Sequence, residues 1–144
     1  MQPGVRRIRH TVLTALLSCP ILHAADGGIF ERAAAYYGVN PELLHAIARV
    51  ESGMDPGCVN RNANGTEDIG LMQINSVHLP ELARYGIGRE DLFDPEVNVY
   101  VGAWVLAGCM KRHGNTWRAV NCYNGRIDGN PYAAKVYRVL TGGR

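Results

Sequence analysis

The stretch Asn40-Pro41-Glu42-Leu43-Leu44-His45-Ala46-Ile47-Ala48-Arg49-Val50-Glu51 decides the fold class. Asn40 is a preferred N-cap residue, and Pro41 suits the first helical position, where its missing N–H costs nothing. Leu43, Leu44, Ile47 and Val50 then lay an apolar face on a helix predicted to reach Glu51, with Ser52 and Gly53 directly behind it. Outward from this helix the pattern recurs. Upstream, an alanine-rich amphipathic helix is predicted over Ile29–Tyr37, stopped by Gly38. Downstream, residues 76–85 read as a short helix ended by Gly86. Pro95–His113 reads as the longest helix, with Val97, Val101, Trp104, Val105 and Leu106 along it and Gly114 behind. Thr116 is expected to cap a helical turn containing Trp117, Val120 and Tyr123, and Pro131 to open a last helix through Val136, Val139 and Leu140. Between residues 53 and 70 the periodicity dissolves into Asp55, Pro56, Gly57, Asn60, Asn62, Asn64 and Gly65, a loop long enough to be functional. No strand or internal repeat stands out, so an all-α single domain is expected.

Composition agrees with that reading. A chain of 144 residues that is 47% hydrophobic and 19% charged suits one globular domain and excludes collagen-like and low-complexity classes. Arg6, Arg7 and Arg9 precede an apolar stretch from Thr11 to Leu22, and His23-Ala24-Ala25 leads into polar sequence. This is the layout of a secretory signal peptide over residues 1–25, which predicts export to the periplasm and a mature domain over 26–144. The apolar stretch is shorter than the roughly 20 residues a membrane span needs. Leu16-Leu17-Ser18-Cys19 partly resembles a lipoprotein cleavage box, the alternative being a lipid anchor on Cys19. Removing residues 1–25 takes away three arginines and no acid, so Lys and Arg fall from 15 to 12 against 13 acidic residues. The mature surface therefore has no electrostatic reason to bind nucleic acid.

The cysteines follow the same cut. Cys19 leaves with the leader, and Cys58, Cys109 and Cys122 remain in an oxidising compartment where one pair closes and one thiol is left. Three pairings are open; a helix-turn-helix between Cys109 and Cys122 favours that pair over either involving Cys58. There is no Cys-x-x-Cys, and His45, His78 and His113 have no ligand spacing, so neither a metal nor another cofactor is expected.

Glu51 breaks the local pattern. It sits at the C-terminal end of an apolar helix, where the helix dipole disfavours negative charge and so raises its pKa. A carboxylic acid that stays protonated near neutral pH is what glycosidic cleavage requires, because the leaving oxygen must receive a proton as the bond breaks. Taken alone, the position equally fits a solvated glutamate at a helix end.

Two further segments change the weighing: Gly70-Leu71-Met72-Gln73-Ile74-Asn75 and Ala119-Val120-Asn121-Cys122-Tyr123-Asn124. Together with Glu51-Ser52-Gly53 they closely resemble, in order and spacing, the three motifs of the lytic transglycosylase family with a goose-lysozyme-like fold. The resemblance covers residues 28–140 and looks closest to small exported members associated with secretion, conjugation and pilus systems. It implies a single lysozyme-like helical domain with a substrate groove, acting as a monomer on peptidoglycan glycan strands at an envelope-spanning machine. By the same resemblance Glu51 is the catalytic acid and base, Ser52 hydrogen-bonds near the scissile sugar, and Gln73 binds substrate. Gly70, Leu71 and Met72 would line the groove, although Met72 as plain core is an equal reading. Tyr123 would point its hydroxyl at Glu51, and Asn124 would support the substrate side. Two departures stand out: Cys122 occupies a position that is usually alanine, and Gly125-Arg126 follows Tyr123-Asn124 in place of a small residue and then glycine.

The implied activity cleaves the bond between N-acetylmuramic acid and N-acetylglucosamine and leaves a 1,6-anhydromuramic end. Asp68, at the mouth of the long loop, is a possible second carboxylate; with it, a hydrolytic muramidase that activates water becomes the alternative. As a plain loop aspartate it would instead cap backbone donors. A non-catalytic glycan-binding component of the machine is the alternative from another class, and it would have no use for the acid at Glu51.

Overall fold

The computed structural model describes residues 28–143. The expected signal peptide over 1–25 and the lipid anchor at Cys19 lie outside those residues. Six α-helices run in the order α1 (Ile29–Tyr37), α2 (Pro41–Ser52), α3 (Leu79–Leu82), α4 (Pro95–His113), α5 (Trp117–Tyr123) and α6 (Tyr132–Leu140). The all-α class expected from the sequence holds as a mostly helical fold with one small sheet. Among the described residues no helix is long and apolar enough to cross a membrane.

The punctuation works largely as the residues dictate. Asn40 Oδ1 accepts from the Leu43 N–H at 2.8 Å, Pro41 opens α2, and Gly38 and Gly53 close α1 and α2 in the left-handed region. Asp94 caps α4 by accepting from the N–H groups of Glu96 and Val97. Thr116 departs from expectation: its hydroxyl makes no cap bond to α5 and donates to the His113 carbonyl at 2.9 Å. The expected helix over residues 76–85 is a composite, with 3₁₀ turns over Ser76–His78 and Ala83–Tyr85 flanking α3.

Helix α4 is the axis of the molecule. Asn98, Val99, Val101, Gly102, Ala103, Leu106 and Cys109 are all buried, so it is covered by neighbours around much of its circumference. Helix α1 packs on α4 and α2, α5 packs on α4, and α6 lies across α2 and α5. The core between them contains Leu44, Ile47, Leu106, Val120 and Val136, all essentially inaccessible. Met72 belongs to it: Gly102 on α4 has no side chain, and a Cβ there would overlap the Met72 thioether.

The segment between residues 53 and 70 corrects the sequence reading, which foresaw no strand. Three short strands, β1 (Val59–Arg61), β2 (Glu67–Ile69) and β3 (Ile74–Asn75), form an antiparallel sheet in the order β1-β2-β3. Asn60 lies opposite Asp68, and Asp68 opposite Asn75. Such strands leave no alternating apolar signature, because polar side chains hold them. Asp68 accepts from Asn62 Nδ2 at 2.9 Å and Asn75 Nδ2 at 2.7 Å, and Thr66 Oγ1 accepts from both of the same amides.

Cys109 on α4 and Cys122 on α5 form a disulfide across 13 residues with Cα atoms 5.8 Å apart, and Cys58 is free. Closing that loop restricts the unfolded chain. Replacing both cysteines by serine is expected to lower the unfolding free energy by about 2–4 kcal/mol, read as a lower denaturant midpoint at constant m. An unchanged midpoint would show that the bridge serves the site and not the fold.

Candidate active site

Helix α2 ends at the edge of a groove of about 670 Å³, and Glu51 in its last turn faces into that groove. Around it stand Asp68 and Asn75 from the sheet, Gln73 from the turn before β3, His78, and Arg112, Tyr123 and Asn124 from the α4–α5 side. Three segments distant in sequence are thus brought together at one groove.

Glu51 is half-buried, and its Oε1 accepts a 2.5 Å hydrogen bond from the hydroxyl of Tyr132. Burial pushes its carboxyl from an ordinary 4.5 up to about 7. The Tyr132 bond works against that rise by favouring the charged form, and the nearby Asp68 charge adds to it. Desolvation, more than the helix dipole invoked from sequence, therefore dominates. At neutral pH a large fraction of Glu51 carries a proton, in a groove open to a ligand.

Tyr132 is the residue that sequence reasoning missed. The hydroxyl expected to reach Glu51 was that of Tyr123, but Tyr123 donates to the Met72 carbonyl at 2.8 Å. Tyr123 is nonetheless close enough to Glu51 for the carboxylate charge to reinforce the effect of burial, and its phenol is raised well above the ordinary value. Tyr132 is raised far above as well, by burial and then by Glu51, so both phenols stay neutral and keep their hydroxyl protons, Tyr132 donating to Glu51 and Tyr123 to the Met72 carbonyl. The available signal was an aromatic directly after Pro131, at the opening of the last helix. In a Tyr132→Phe protein the bond that favours ionised Glu51 is gone. The alkaline limb of its pH–rate profile is expected to move to higher pH, with about a tenfold loss of rate from poorer orientation of the acid. An unmoved profile would show that the bond has no part in tuning Glu51.

The other expected site residues are placed as follows. Ser52 does not present its hydroxyl to the groove: Oγ donates to the Leu71 carbonyl at 2.6 Å and accepts from the Asp55 N–H, tying the end of α2 to the next motif. Gly70, with φ of +77°, is required by close packing against α4 and not by approach to a glycan, since a Cβ would overlap Asn98 Nδ2 and the Leu92 carbonyl. Leu71 and Met72 are buried core residues and do not line the groove, because Met72 fills the space over Gly102. Gln73 does border the groove, with its backbone in the left-handed region at φ of +51°. Its amide is already engaged: Nε2 donates to the carbonyls of Cys58 and Gly70, and Oε1 accepts from Asn60. A non-glycine residue held there by three side-chain bonds marks a turn fixed by its surroundings. Asn124 lines the groove and accepts from Asn130 Nδ2 at 3.1 Å. Asp68 shares the groove with Glu51, but each of its oxygens accepts from an asparagine amide.

A second missed residue lies beneath the site. Asn98 is fully buried in α4; its Oδ1 accepts from the Met72 N–H at 2.7 Å, and its Nδ2 donates to the carbonyls of Ile69 and Leu92. The signal was one amide between Val97 and Val99 in an otherwise apolar run.

A mostly helical domain with a groove built around one half-buried glutamate is a lysozyme-like architecture. The chain belongs to the transglycosylase SLT domain family, whose model matches residues 28–130. It is 46% identical over 89 residues to invasion protein IagB of Salmonella typhimurium, covering 61% of this chain and 56% of that protein. The match thus spans little more than half of the relative's length. It is 40% identical to the X polypeptide of Escherichia coli K12, over 85% of this chain and 76% of that one. Protein IpgF of Shigella flexneri is 35% identical, over 85% and 86% respectively. Among solved structures, an inactive glutamate-to-glutamine mutant of lytic transglycosylase Slt from Pseudomonas aeruginosa superposes with a TM-score of 0.57 at 26% identity. That superposition covers 84% of this chain and 21% of the Slt chain.

Proposed function

We propose that the protein is a peptidoglycan lytic transglycosylase with Glu51 as its only catalytic acid and base. The observation that carries the reading is a half-buried carboxyl, raised to about 7, held by Tyr132 in an open groove. Glu51 donates its proton to the oxygen linking muramic C1 to the next sugar as that bond breaks. The carbonyl oxygen of the muramic 2-acetamido group closes on C1 and takes up the positive charge. Glu51, now a carboxylate, removes the proton from the C6 hydroxyl, and O6 attacks C1, releasing the acetamido oxygen and forming the 1,6-anhydro ring. One residue whose pKa lies near the working pH serves both proton transfers.

Export and removal of residues 1–25 belong to the same proposal, supported by the arginine-then-apolar leader and by a disulfide suited to an oxidising compartment. An invasion protein among the relatives supports action at an envelope-spanning machine. Hydrolysis is the second reading, favoured by the presence of Asp68 in the groove, where it would direct water at C1. The engagement of both its oxygens by Asn62 and Asn75 favours a structural role instead.

Mass spectrometry of soluble muropeptides released from purified peptidoglycan separates the two. Anhydro-muropeptides from both the parent protein and Asp68→Asn are the expected result. Reducing ends, lost in Asp68→Asn, would move the assignment to a hydrolase, and no release from folded protein would favour a glycan-binding component.

A further inference from the structure

Arg112 is exposed on the last turn of α4, yet its side chain does not trail into solvent. Nη2 lies 3.3 Å from Cys122 Sγ and 3.5 Å from Cys109 Sγ, so the guanidinium is folded onto the disulfide. Gly108 lies one turn earlier, where the position of an added Cβ would stand 3.7 Å from Arg112 Nη1, in ordinary van der Waals contact. A disulfide is neutral and a weak acceptor, so it orients the fork without compensating its charge. Among the described residues Arg112 makes no ion pair.

That cation forms part of the groove wall next to Tyr123. The other charged side chains lining the groove are the acids Glu51 and Asp68, and burial lowers the proton affinity of His78. A neutral polysaccharide has no use for one fixed, unpaired guanidinium. A glycan bearing carboxylates does, because a planar fork binds a carboxylate through two parallel hydrogen bonds and loses little entropy when already held in place.

We propose that Arg112 is the specificity determinant by which this groove recognises a carboxylate on the peptide arm of its glycan, with the disulfide as its platform. The inference rests on the peptidoglycan reading above and adds what part of the substrate is read. The carboxylate belongs either to the stem peptide or, on peptide-free strands, to the lactyl group from which that peptide hangs.

The test is calorimetric titration of soluble muropeptide oligomers into Glu51→Gln protein and into Glu51→Gln/Arg112→Gln protein, where turnover does not interfere. Three probes are used: oligomers with free stem carboxylates, the same oligomers with those carboxylates capped as methylamides, and peptide-free strands. Free-carboxylate oligomers are expected to bind about tenfold more weakly to the Arg112→Gln protein. Capping should weaken the Arg112 protein to the same level and leave the variant unaffected. Arg112-dependent binding of peptide-free strands would assign the lactyl carboxylate, and its loss there would assign the stem. Equal affinity of the two proteins for every probe would overturn the proposal. The peptidoglycan reading fails separately, if parent protein with Glu51 intact releases no muropeptide and no probe binds either protein.

Discussion

Glu51→Gln is expected to abolish muropeptide release, with a rate loss of at least about 10³-fold while the fold stays intact. The amide keeps the size of the side chain and can still accept from Tyr132, but it has no proton to give to a departing sugar oxygen and cannot receive one from a C6 hydroxyl. General acid–base catalysis is worth roughly 10²–10⁴ in rate, and both steps here use the same group. The structure also fixes the pH dependence. With the carboxyl raised to about 7, cleavage should hold at mildly acidic pH and fall as pH rises through 7 and the proton is lost. The same shift predicts stability. From about pH 4.5 to 7 the unfolded chain ionises Glu51 while the folded protein keeps it protonated, so the folded state binds more protons and stability falls as pH rises. Above 7 both states are ionised and the penalty is complete. Glu51→Gln escapes it, so at pH 8 the variant should unfold at a higher temperature than the parent, with the difference shrinking toward pH 4.5. Activity retained by Glu51→Gln, or a stability gain equal at both pH values, would remove Glu51 from the centre of the reaction.

The residues that could be read from sequence are those whose role depends on local spacing. The α2 helix was legible because Asn40, Pro41 and four apolar positions lie within one element, and the Cys109–Cys122 pairing was favoured because both partners sit on consecutive helices. Glu51 stood out because a carboxyl follows an apolar face. What escaped depends on contacts made across the fold. Which tyrosine reaches Glu51 is settled by the packing of α6 against α2, and 81 residues separate Tyr132 from Glu51. The Gly70-Leu71-Met72 run reads from the resemblance as groove lining, whereas the glycine answers to Asn98 of α4 and the Leu92 carbonyl just before that helix, which come within overlap distance of any side chain there. The small sheet escaped because β1 contributes no buried residue and β2 and β3 one each, and the strands are joined by asparagine, threonine and aspartate side chains. Hydrophobic alternation, the usual strand signal, is therefore absent.

Asn98→Leu is expected to be the most destabilising single change that leaves the groove lining untouched. Leucine keeps the γ-branched shape of asparagine with bulkier methyl groups, so no cavity opens, and the main loss is hydrogen bonding. One fully buried amide accepts from the Met72 N–H and donates to the carbonyls of Ile69 and Leu92. It thereby pins β2, the Gly70–Gln73 turn and the 3₁₀ segment before α4 to a single point on the central helix. Each polar group left buried without its partner costs about 1–3 kcal/mol, so three together should lower stability by at least about 3 kcal/mol and the melting temperature by more than about 10 °C. The loss should be felt in the site as well. The Met72 carbonyl holds the Tyr123 hydroxyl, and β2 carries Asp68, so a loosened turn shifts the groove wall opposite Glu51. Residual activity measured well below the melting transition should accordingly fall further than the folded fraction alone explains. A melting temperature within about 3 °C of the parent would mean that water or a rearranged turn replaces the three bonds, and that α4 supports the site through its apolar contacts alone.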